Sequence, residues 1–164
     1  MAESLGIAAA VPFDGSATRT LATSDDLTKA RGDYAGIDAA GVYWTVPRAG
    51  ARAEDDAWSV ALAPADGGPL RTVWDGLPAH SSIWGMWPDG EGGWVAAVGQ
   101  RFDDLQDHIG IWTIDANWQG RRLACSPAGD GSSIPNVRVR PAIAPDAIYV
   151  EDSASKFQIV RIPR

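Results

Sequence analysis

Two stretches of this chain place arginine just ahead of paired carboxylates. One is Val46-Pro-Arg48-Ala-Gly-Ala-Arg52-Ala-Glu54-Asp55-Asp56, and the other is Gly99-Gln-Arg101-Phe-Asp103-Asp104-Leu-Gln-Asp107-His108. Carboxylates that converge can bind a cation or divide the work of a general acid and a general base. Asp55, Asp56, Asp103 and Asp104 are therefore candidate ligand-binding groups, with Arg101 and His108 beside them. The competing reading is a pair of solvated loops whose Arg and Asp pair weakly. It is the favoured one, because charge runs are usually solvated. Asp104, Asp107 and His108 would need a further ligand to hold a metal, and their spacing matches no ligand motif, so no metal and no cofactor is assigned.

The other chemistry-bearing residues read mostly as structure. His80 precedes Ser81 and Ser82, but no Gly-x-Ser-x-Gly elbow is present, and neighbours on an extended chain point in opposite directions. No catalytic residue is assigned. The eight tryptophans suggest stacking on sugar rings. Trp44, Trp58, Trp74, Trp84, Trp94 and Trp112 fall inside expected strands and read as core, whereas Trp87 and Trp118 sit beside turns and are the candidates for exposed contact. A single cysteine, Cys125, excludes an internal disulfide and any Cys-based zinc cluster.

With 164 residues the chain has room for one domain with a substantial core. Apolar residues make up 45% and charged ones 21%, a globular balance. Fourteen Lys and Arg against 21 Asp and Glu give a net charge of −7, which a phosphate backbone repels, so nucleic acid is not an expected partner. No apolar run reaches the roughly 18 residues of a membrane span. The first residues lack a basic start followed by an apolar run, so no signal peptide is expected. A cytoplasmic or virion- or particle-associated location follows as the expectation.

Helical periodicity is nearly absent; only 24–31 and 101–107 suggest a turn or two. Elsewhere, short apolar or β-branched runs alternate with Gly, Pro, Asp and Ser clusters, the pattern of strands and turns. Several runs are apolar on both faces. Trp58, Val60 and Leu62 alternate with Ala57, Ala61 and Ala63, and Trp94, Ala96 and Val98 alternate with Val95 and Ala97. A sheet with one wet face would carry polar residues at every second place, so these sheets must be covered on both sides.

Two hairpin patterns recur. Gly36-Ile-Asp-Ala leads to Val42-Tyr-Trp44, Gly85-Met-Trp-Pro-Asp-Gly90 leads to Trp94-Val-Ala96, and Ala142-Ile-Ala-Pro-Asp146 leads to Ile148-Tyr-Val150. Between them, Gly6 to Gly15 precedes Thr18-Arg-Thr-Leu21, Trp58 to Gly67 precedes Leu70-Arg-Thr-Val73, and Gly110 to Asp115 precedes Arg121-Arg-Leu123. Phe157 to Ile162 begins one more copy of the second pattern. The expected order is thus two strands, then four, four and three. Repeated four-stranded antiparallel units of about 40–50 residues read as β-propeller blades. The blades would occupy a partial unit at 1–23, full units at 30–76 and 81–127, and a partial unit at 137–164. Gly36, Gly85 and Ala142 would be the small residues that fit the crowded inner strand.

The turn Trp87-Pro88-Asp89-Gly90 resembles the Pro-Asp-Gly turn between the first two blade strands of TolB-like propellers. Ala144-Pro145-Asp146 keeps the Pro-Asp, and Asp38-Ala-Ala-Gly41 keeps only the Gly. The resemblance implies an all-β, propeller-like fold of four-stranded antiparallel blade repeats, either incomplete or closed by an oligomer, whose loops between second and third strands crowd the ligand-binding face. The expected function is a non-enzymatic binding or scaffold module in a protein assembly, such as a structural part of a phage virion. Its partner would be another protein or a second copy that closes the ring. Two other classes stay open: a glycosidase- or lactonase-like hydrolase using the loop carboxylates, and a lectin-like sugar binder using Trp87 or Trp118.

Overall fold

The computed structural model describes residues 8–10, 19–22, 34–52, 57–100, 110–125, 141–152 and 158–164. The regular elements among them are all strands: β1 (Ala8–Ala10), β2 (Arg19–Ala22), β3 (Tyr34–Asp38), β4 (Gly41–Pro47), β5 (Trp58–Pro64), β6 (Arg71–Trp74), β7 (Ser81–Pro88), β8 (Trp94–Gln100), β9 (Gly110–Ile114), β10 (Gly120–Cys125), β11 (Ala142–Ile143), β12 (Ala147–Asp152) and β13 (Gln158–Pro163). They form four antiparallel sheets of two, four, four and three strands, in which each strand pairs with the next along the chain. The fold is all-β, and its four-stranded sheets are compatible with blade-like repeats. Among the described residues no closed ring is formed, and the strands of the first and last sheets are not paired with each other. The suggested helical turns at 24–31 and 101–107 lie outside the described residues.

Aspartate fixes the hairpin turns. The Oδ1 atoms of Asp38, Asp66, Asp89 and Asp115 each accept the backbone N–H two residues on, from Ala40, Gly68, Glu91 and Asn117, at 2.8–3.0 Å. This local bond mimics a backbone turn, so the chain reverses without help from the rest of the fold. Asp89 and Asp115 also accept the N–H four residues on, from Gly93 and Gln119, and so close the whole loop.

The strands then bury both faces. From β5 and β8, Trp58, Val60, Leu62, Trp94, Ala96 and Val98 meet in one core between the second and third sheets, with Tyr43, Trp74 and Ile114. Val95 and Ala97, on the other side of β8, join Ile111, Ile148, Val150 and Ile162 in a core between the third and fourth sheets. Val46 and Ala61, with Trp44 and Leu70, form a smaller cluster on the outer side of the second sheet, where β2 approaches β5. Each Val- or Leu-sized side chain buried this way stabilises the fold by about 1.5–3 kcal/mol. The expected two-sided coverage is therefore present in the central sheets.

The inner strands hold a different arrangement from the one expected. At Gly36 a Cβ would stand 2.7 Å from the Met86 carbonyl oxygen, so only glycine lets β3 lie this close to β7. Gly85 instead makes room for the Trp87 indole of its own strand, and Ala142 is exposed. A neighbouring strand thus crowds the inner position at Gly36, the strand's own indole crowds it at Gly85, and at Ala142 it is open.

Trp84 corrects the core assignment. It is 37% exposed and lies over Gly99, where a Cβ would come within 2.0 Å of its ring. The cause is a bulge between Ile83 and Gly85, which takes Trp84 out of the alternation that sends its neighbours inward. Trp58, Trp74 and Trp94 are buried, and Trp44 and Trp112 are half-buried.

Candidate functional site

The loop between β4 and β5 meets the connection between β6 and β7 at one end of the sheets. Arg48 makes the junction. Its Nη2 donates to the Leu77 carbonyl on the incoming connection and to the Trp58 carbonyl at 3.3 Å. Arg48 also opens a turn closed by the Ala51 N–H on the Arg48 carbonyl at 3.1 Å, in which Gly50 has φ 78°. A cleft of about 600 Å³ lies beside this turn, lined by Arg48, Ala49, Ala51, Ala57, Ala79 and His80 among others.

Among the described residues, Arg48 is the formal charge that lines this cleft. Arg48 is half-buried and bound to neutral carbonyls, and its Nε is buried without a partner. His80 is half-buried and takes φ 59°, a backbone conformation costly for a residue with a Cβ. No carboxylate is among the described lining residues. Arg48 therefore serves to join the two loops. Ser81 begins β7 and is buried at 1% exposure, so its hydroxyl is not open to solvent.

A second cleft, about 480 Å³, lies at the opposite, turn-bearing end of the third sheet. Its floor is an ion pair: Arg164 Nη2 stands 2.7 Å from Asp89 Oδ2, with the two side chains 14% and 8% exposed. Arg164 also reaches Glu91 at 3.7 Å, and its Nη1 is buried and unpaired. Thr113, Asp115, Gln119 and Arg121 line the walls. Asp89 is fully engaged by two backbone N–H groups and one guanidinium, so it serves to tie the chain beyond β13 to the β7–β8 turn.

Tyr43 is a buried ionisable group. Its O–H donates to Asp38 at 3.2 Å, and burial first, then the Asp38 charge, pushes the phenol well above its ordinary range. It is held neutral and acts as a donor. Arg161 is shifted upward by its exposed bond to Asp146 at 2.7 Å.

Asp55, Asp56, Arg101, Asp103, Asp104 and His108 lie outside the described residues. Trp87 and Trp118 are described, and both are half-buried. Trp87 packs against the core between the third and fourth sheets, and Trp118 stacks on Trp94 with centroids 6.3 Å apart and the planes 27° from parallel. Trp118 needs φ 60° to do so. Of the expected residues, then, only Trp87 and Trp118 are placed, each against a core, while Arg48 and His80, which are not among those candidates, come together at the other end. Sequence reasoning missed Arg48 as a junction residue and Arg164 as a partner of Asp89. The only signal was the presence of an arginine, since both contacts join segments far apart in sequence.

Among the described residues, no group of three His, Cys, Asp or Glu is placed to hold a metal ion, and no helix is long and apolar enough to cross a membrane. No protein family, curated protein or solved structure matches the chain.

Proposed function

We propose that this chain is a non-enzymatic, propeller-type binding or scaffold module that works within a protein assembly, for instance as a structural component of a larger particle. The observation that carries the reading is the stacking of successive sheets in chain order, with shared cores between second and third and between third and fourth. Such a stack is built by nearest-neighbour contacts and presents loops at both ends and sheet faces at its sides. The clefts at the loop ends are lined by polar and charged residues, among them Glu91, Asp115, Gln119 and Arg121, which suits contact with a polar surface of a partner.

The test is purification of the tagged chain from the cells or particles that produce it, followed by mass measurement and identification of what accompanies it. A complex of defined stoichiometry is expected. Recovery as a 17.3 kDa monomer, or turnover of a glycoside or lactone by the pure protein, would overturn the reading.

A further inference from the structure

We draw no further inference here: the strongest candidate, the cleft over the Arg164–Asp89 ion pair at the turn-bearing end of the third sheet, carries none, because the unpaired Arg164 Nη1 that would mark a ligand is itself buried, Glu91 and Asp115 stand beside Arg121 on the walls, and nothing in the structure shows what would fill it.

Discussion

Val73 and Leu123 occupy the same place in successive sheets. Each is the one extra residue of a bulge: Val60 and Ala61 pair with Trp74 and Thr72, passing over Val73, and Trp112 and Ile111 pair with Arg122 and Ala124, passing over Leu123. Leu21 is passed over in the same way between Thr20 and Ala22 in the first sheet. The bulges fall at residues that the hairpin patterns align by sequence. A bulge bends and twists its strand, so these hairpins share their curvature as well as their turn chemistry.

Trp94 is the centre of the main core. It is 4% exposed and meets Tyr43 at 4.5 Å and Trp118 at 6.3 Å. Trp94→Ala should lower the unfolding free energy by about 3–5 kcal/mol through the cavity it leaves. Denaturant titration followed by circular dichroism reads this, and an unchanged midpoint would contradict the packing described.

Gly36 and Gly50 separate close approach from backbone freedom. Gly36→Ala should cost about 1–3 kcal/mol, because the new methyl meets the Met86 backbone. Gly50 has open space around it and φ 78°, so Gly50→Asn should be nearly neutral, since asparagine tolerates this conformation. Equal effects at the two positions would remove the argument for close β3–β7 contact.

Asp89 and Asp146 both bind arginine, in different surroundings. Asp89→Ala strands the largely buried Arg164 and frees two backbone donors, and should cost about 3–5 kcal/mol. Asp146→Ala breaks an exposed pair and should leave the thermal midpoint unchanged within error. Differential scanning fluorimetry of the two variants makes the comparison.

Tyr43 links stability to alkaline pH. Its pKa is raised on folding from an ordinary value of 10.0, so the stability contributed by the neutral phenol is fully present below about pH 10. It is lost as pH rises from there toward the folded-state pKa, because the unfolded chain releases this proton first. Tyr43→Phe should be less stable than wild type at neutral pH by about 1 kcal/mol, for the lost bond to Asp38. That gap should narrow above pH 10. A gap that stays constant with pH would show that Tyr43 titrates normally.

The sequence alone determined the strands, their order and their turns. Alternation of Trp58, Val60 and Leu62 with alanine, and Asp at the hairpin tips, act over two to four residues, and local geometry is sufficient to read them. Only the tertiary structure decided what crowds each inner residue, which tryptophan leaves the core, and which arginine meets which partner. Gly36 and Gly85 look alike in sequence, yet one faces a neighbouring backbone and the other its own strand's indole. Trp84 is turned outward by a single bulge residue. Arg164 reaches Asp89 across 75 positions. Such contacts depend on how sheets lie against one another, and a small change in twist or register moves them by more than a hydrogen-bond length, so spacing along the chain carries no trace of them.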